Sequence, residues 1–294
     1  MLLFKILIIL INFNLIFISS IGYGYLLNKF VIKKSLIGIY ELFFYSIPLL
    51  LLISFTVHYF SAINYKISSI ILFFGIIYTL YNFRNIFISK KENYIFLFSN
   101  IIFIPFVLGG SPHSDFYYHH LPYLNMIFNY KIVFGLVNFN DVLANPYMAW
   151  FNYTALFNLP PFKFQINHIV NGVLFFSYLN YILADYINQK NNLIKILNIF
   201  LIIIPLSIFS KLTDHGADIP SQIFILLITK QLFNFFTENN KHKKLEIFSI
   251  ILIFTCVAII FRINSVFILP IILLIFLSLI NKFFLKEINY KIIS

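Results

Sequence analysis

Apolar stretches long enough to cross a bilayer recur from one end of this 294-residue chain to the other, and no other feature restricts its fold as severely. A helix needs about 20 mostly apolar residues to span the hydrocarbon core. Inside that core every backbone N–H and C=O must be bonded within the protein, so continuous segments of this length read as helices. The spacing predicts crossings near 2–21, 36–60, 67–83, 94–109, 166–187, 193–210, 219–236, 247–261 and 265–281. The expected fold is all-α: a polytopic helical membrane protein with about nine transmembrane helices, forming a single integral membrane domain over 1–294. With 61% hydrophobic and only 11% charged residues, a water-soluble globular domain is excluded. The first stretch has Lys5 as its one early positive charge, carries Asn12 and Asn14, and lacks a small-x-small cleavage site. It reads as a span rather than a signal peptide. The single cysteine, Cys256, sits inside an apolar stretch, which rules out a disulfide framework and a cysteine-based metal site.

The net charge of +11 is a topology signal here, not a nucleic-acid footprint, because short loops rich in Lys and Arg stay on the cytoplasmic side. The loops 22–35, 82–93, 188–195 and 237–246 and the tail 282–294 hold fourteen of the 21 Lys and Arg residues. The opposite face has six: Lys5, Lys66, Lys131, Lys163, Lys211 and Arg262. The N-terminus is therefore expected outside and the C-terminus in the cytoplasm. Heavy use of Phe, Tyr, Ile, Asn and Lys is the bias of an AT-rich genome, so position carries more information than residue type. Acidic residues contribute little to topology, yet Asp115, Asp141, Asp214 and Asp218 all fall in two outer segments, 110–165 and 211–218. Chemistry is expected to face outward. Glu41 and Asp185 lie near cytoplasmic span ends and read as solvated or paired structural groups.

The segment 110–165 is a large extracytoplasmic loop, too long for a simple connector. Within it 121–134 has the apolar spacing of an amphipathic helix lying in the interface, and 144–157 gives a second. Asp115 is the first candidate residue, since a carboxylate just past a span end can accept a proton beside lipid headgroups. A helix starting near Ser114 places Asp115 and His119 on one face, where they can share a proton, a phosphate or a divalent ion. Helix capping accounts for Asp115 equally well, and tyrosine and histidine suit the interface for amphipathic reasons alone. The second outer segment places Asp214, His215 and Asp218 within five residues. Asp218 followed by Pro220 also reads as a helix start. Arg262 sits between two apolar stretches, where its planar fork suits a lipid phosphate or its length lets it snorkel to the interface. Asn152-Tyr153-Thr154 fits the glycosylation pattern, which matters only in a eukaryotic secretory pathway.

These residues resemble a known family. Asp115-Phe116-Tyr117-Tyr118-His119-His120-Leu121-Pro122 is similar to the Asp-x-x-x-Tyr-His-Leu-Pro signature opening the first large outer loop of bacterial GT-C-type membrane glycosyltransferase-like proteins, in a poorly characterised branch. Lys131-Ile132-Val133-Phe134-Gly135-Leu136-Val137-Asn138 resembles the Lys-Ile-x-Pro-Gly-Leu-x-Asn stretch that follows there, with Phe134 in place of proline. Asp214 through Asp218-Ile219-Pro220 resembles the second acidic outer loop, and Arg262-Ile263-Asn264-Ser265 occupies the place of a basic residue followed by a small polar one. The four motifs occur in the family's order. The doubled His119-His120 shifts the comparison by one, so either Tyr117 or Tyr118 matches the family tyrosine. Relatives are usually longer, and the chain reads as complete or as truncated at its C-terminus.

The resemblance implies a transferase that moves a sugar from a polyprenyl-phosphate carrier to an extracytoplasmic acceptor in envelope polysaccharide or glycoconjugate assembly. The implied setting is the bacterial plasma membrane. Asp115 is then the catalytic carboxylate, and His119, His120, Asp214, Asp218 and Arg262 are candidates for substrate contacts. A divalent cation or Arg262 would stabilise the departing phosphate. The absence of a P-loop or dinucleotide glycine motif in the cytoplasmic loops agrees with a donor that is not a nucleotide. A lipid-linked saccharide transporter or assembly component without transferase chemistry is the alternative, as is an inactive fragment. A transporter should show internal repeats and polar groups at mid-membrane, and no clear repeat is present.

Overall fold

A computed structural model of the chain describes residues 2–34, 37–87, 89–108, 116–134, 148–159, 166–207 and 216–277. Among them there is no strand. The helices are α1 (Leu2–Leu27), α2 (Ile39–Phe60), α3 (Tyr65–Tyr81), α4 (Phe83–Ile86), α5 (Lys90–Leu108) and α6 (His120–Asn129). They are followed by α7 (Met148–Ala155), α8 (Ile166–Asn188), α9 (Asn192–Leu206), α10 (Asp218–Thr237) and α11 (Lys241–Phe261). The last described helix, α12 (Ile263–Leu277), opens with a 3-10 stretch over Ile263–Ile268. Helix α1 runs on through a π turn, Asn28–Ile32.

In its described residues every predicted apolar stretch overlaps a helix. Among the described residues four helices are long and apolar enough to cross a membrane: Ile6–Ile32, Ile39–Phe60, Asp218–Thr237 and Lys241–Phe261. Tyr65–Tyr81, Asn192–Leu206 and Ile263–Leu277 are shorter apolar helices. The chain is thus an all-helical, multi-pass membrane protein, and its outer surface fits that solvent: Phe73, Phe74, Leu97, Ile101 and Leu274 are all exposed. In water such a belt would be a liability, whereas lipid tails cover it without cost.

Helix starts follow local chemistry. Asn64 caps α3 by accepting from the N–H groups of Lys66 and Ile67, Asn191 caps α9 through Leu193, and Asn240 caps α11 through His242 and Lys243. Each satisfies donors that the first helical turn leaves without intrahelical partners.

Apolar burial drives little association between helices that already sit in lipid, so close backbone approach and interhelical hydrogen bonds matter more. The α1–α2–α3 unit uses both. A side-chain carbon on Gly24 would collide with the Leu42 carbonyl of α2, and one on Gly22 with the Gly75 carbonyl of α3. Thr79 donates to the Ile18 carbonyl at 2.7 Å and Tyr23 to the Ile71 carbonyl at 2.8 Å. Elsewhere Tyr178 of α8 donates to the Leu201 carbonyl of α9 at 2.8 Å. Phe44, Phe224, Phe254 and Phe261 pack edge to face where α2, α10 and α11 meet.

The two expected interfacial helices turn out differently from each other. Helix α6 is amphipathic, with Tyr123, Leu124 and Ile127 buried. It is tied to the α2–α3 turn by Ile63 N–H donating to the Ile127 carbonyl at 2.9 Å and Ile132 N–H to the His58 carbonyl at 3.0 Å. Helix α7 has no exposed face among its described residues. Trp150, Tyr153, Thr154 and Ala155 are fully buried, as are Leu156 and Phe157 just beyond it. The Trp150 ring packs on Phe261 and Ser68 donates to the Ala155 carbonyl at 3.0 Å. The expected amphipathic helix over 144–157 is therefore, in its described part, a wedge sealed inside the bundle. Burial of Asn152 also removes the glycosylation reading of Asn152-Tyr153-Thr154 in the folded protein.

Candidate functional site

The chain turns at one end of the bundle through Ser61–Asn64, Gly216–Ala217 and Arg262, and α6 lies across this end. Here three of the four motif segments converge. Helix α6 begins at His120, with Phe116 buried and Tyr117, Tyr118 and His119 exposed in the turn before it. The His120 ring lies 4.9 Å from the Phe151 ring of α7, and its Cε1 is 3.9 Å from where a side-chain carbon on Gly216 would stand. Asn171 of α8 donates to the Gly216 carbonyl at 3.3 Å. Two residues on, Asp218 in the first turn of α10 forms an ion pair with Arg262, which ends α11. Ser265 then shares a 2.6 Å hydrogen bond with Ser221 of α10, and Ser221 also reaches the Ala258 carbonyl at 3.2 Å.

The local reasons are plain. Arg262 leaves helical geometry, with φ −151° and ψ 116°, because the chain must reverse into α12. That places its guanidinium beside the N-terminal turn of α10, where Asp218 is stabilised by the helix dipole as well. Pro220 in that first turn lacks an N–H where none is needed. Among the candidates, His120, Asp218 and Arg262 are brought to one end, while His119 is exposed beside them. Asp115 and Asp214, with His215, lie outside the described residues. The shared-face geometry for Asp115 and His119 needs a helix from near Ser114, whereas 117–119 is a turn and α6 starts only at His120. Among the described residues no group of three His, Cys, Asp or Glu side chains is arranged to hold a metal ion.

The opposite end of the bundle holds a polar constellation that the sequence reading passed over. A cavity of about 660 Å³ opens among the lysine-rich turns, between α2, α5, α8, α10 and α11. Beneath it Lys230, 1% exposed, binds Asp185 at 2.5 Å, and Asn198 donates to the same carboxylate oxygen at 2.8 Å. The Lys230 ammonium also sits 5.1 Å above the Tyr181 ring. Lys34 spans both oxygens of Glu41 at 2.7 and 2.9 Å, and Tyr45 donates to Glu41 at 2.5 Å. Glu92 accepts the Ile39 N–H at 2.8 Å. At the rim, Glu238 accepts from the N–H groups of Asn240 and Asn239, which with Lys243 and Lys244 nearby holds its carboxyl below the usual carboxylate value. Glu41 and Asp185 are paired, as expected, but around a cavity. The residue that sequence reasoning missed is Lys230. Its signal was present, since it is the one charge inside the predicted span 219–236, and an ionisable group within a span is a functional candidate by default.

Neither a curated protein nor a solved structure matches this chain. The family described as Domain of unknown function (DUF8201) matches residues 6–294, and the chain belongs to that family.

Proposed function

We propose that the protein is a membrane glycosyltransferase that moves a sugar from a polyprenyl-phosphate carrier to an extracytoplasmic acceptor. The end of the bundle bearing α6 then faces outward across the bacterial plasma membrane, with the N-terminus outside, the C-terminus cytoplasmic and nine helices crossing. The observation that supports this reading is the meeting of His120, Gly216–Asp218 and Arg262 from three segments far apart in sequence. Those segments carry three of the four motifs of the family resemblance.

In the reaction the acceptor hydroxyl oxygen attacks the anomeric carbon, its proton passes to the Asp115 carboxylate, and the bond from that carbon to the phosphate oxygen breaks. The negative charge gathers on the leaving polyprenyl phosphate, and a positioned guanidinium stabilises it. Arg262 is paired with Asp218, and its planar fork has the geometry that suits a phosphate. Asp218 thereby fixes the fork that reads the phosphate. His120 packs on Phe151 and lies beside Gly216, two residues before Asp218.

The test is a lipid extract from cells lacking the gene, which is expected to accumulate a polyprenyl-linked sugar. Complementation with Asp115→Asn should leave that lipid in place while the protein inserts normally. Clearance of the lipid by Asp115→Asn would end the transferase assignment. The buried Lys230–Asp185 pair at the other end favours one second reading, a transporter of lipid-linked saccharides. In that case the asparagine variant clears the lipid and Lys230→Met does not.

A further inference from the structure

We propose that the cavity at the lysine-rich end is a second binding site and that its ligand is a small hydrophilic organic cation carrying a primary amine. At about 660 Å³ it falls within the size range of small-molecule sites, roughly 300–1,000 Å³. Its charge runs against that of the chain: of only ten acidic residues in a protein of net charge +11, Glu41, Glu92, Asp185, Glu238 and Glu246 line this one cavity, against Lys34 and Lys243. Of the two lining lysines, Lys243 is exposed at the rim and Lys34 is engaged, as is the buried Lys230 beneath the cavity. Lys34 is held by Glu41 and the buried Lys230 by Asp185. Glu92 and Glu246, both half-buried, have no ion pair among the described residues.

The uncharged groups point the same way. On the wall, Asn234 donates to Gln231 at 3.5 Å and Gln231 to Tyr181 at 3.0 Å, which leaves the Asn234 carbonyl oxygen as an acceptor. Beneath the lining, beside Asp185, the fully buried Asn198 donates to that carboxylate and leaves its own side-chain carbonyl oxygen without a protein partner. Acceptors and negative charge are in excess, so the matching ligand brings donors and positive charge. An inorganic cation fits less well, because among the described residues the carboxylates do not converge in a metal-binding group. They are spread around a space large enough for an organic molecule. The site stands at the end opposite the proposed transferase centre and does not depend on it.

The full chain, purified in detergent, is titrated with ethanolamine, glucosamine and spermidine, with glucose as the neutral match to glucosamine and Mg²⁺ as the inorganic cation. At least one amine is expected to bind and raise the unfolding midpoint, with glucose inert. Glu246→Gln and Glu92→Gln should each weaken that amine by about tenfold or more, the usual effect of losing a charge-assisted hydrogen bond. Lys243→Gln, at an exposed rim position, should tighten it. Three results overturn the proposal: no amine binds, glucose or Mg²⁺ binds as well as the amines, or Lys243→Gln leaves amine affinity unchanged. Accumulation of the polyprenyl-linked sugar reads the other end of the molecule, so failure here and failure there are separate outcomes.

Discussion

At the scale of single residues, the bundle's most demanding feature is Lys230. An ammonium 1% exposed is tolerable only because Asp185, reinforced by Asn198, neutralises it. Lys230→Ala strands Asp185 and Lys230→Met does the same with better packing, so each should destabilise the protein by about 3–5 kcal/mol. The double variant Lys230→Met, Asp185→Leu should recover most of that loss, as read by unfolding in detergent. A double variant no more stable than the singles would mean that the pair is not the source of the cost. Arg262 makes a different demand. Lysine supplies the charge but not the planar fork, so Arg262→Lys should keep stability within about 1 kcal/mol while accumulation of the polyprenyl-linked sugar returns. Glu238 gives a pH dependence of known sign. Its carboxyl is held low in the folded state, so its stabilisation is present above the unfolded value near 4.3 and is lost as pH falls through the lower folded value. Glu238→Gln should flatten that part of the acid-unfolding profile.

Helix positions were legible because nothing but a helix can bury a long apolar backbone in lipid, and the predicted stretches at 36–60, 219–236 and 247–261 found α2, α10 and α11. The depth of α7 was not legible. Its aromatic residues, Trp150, Phe151 and Tyr153, suit a membrane interface as well as a bundle core, and periodicity cannot tell those two surroundings apart. What decides is the neighbouring surface, here Phe261 and Ser68, which no local pattern contains. The start of α6 at His120 was legible from the apolar spacing that begins at Leu121, while the alternative of a helix already running from near Ser114 gives way to a turn over 117–119 beside the buried Phe116. Removing the wedge's largest side chain, Trp150→Ala, should cost about 3–5 kcal/mol, far more than an interfacial helix would lose. Little change in the unfolding midpoint would return α7 to the membrane surface.

For the whole molecule, the two polar ends have opposite characters, and the charge bias that orients the chain also bears on which end is which. The turns around the cavity carry Lys29, Lys33, Lys34, Lys190, Lys241, Lys243 and Lys244, while the end with α6 and the Asp218–Arg262 pair is poor in lysine. Positive loops resist export, so the cavity should open to the cytoplasm and the motif-bearing end to the exterior. The charge asymmetry between the two ends was legible, because topology depends on loop charges that the sequence lists outright. The cavity was not, because five helices must assemble before its carboxylates share a space. Two exposed positions test the arrangement directly: Tyr118 beside α6 and Asn239 between α10 and α11. In a chain whose one cysteine, Cys256, is replaced by serine, Tyr118→Cys should react with a membrane-impermeant maleimide on intact cells. Asn239→Cys should react only after lysis. The reverse pattern would put Asp218 and Arg262 in the cytosol, out of reach of an extracytoplasmic acceptor, and would open the acidic cavity to the outside.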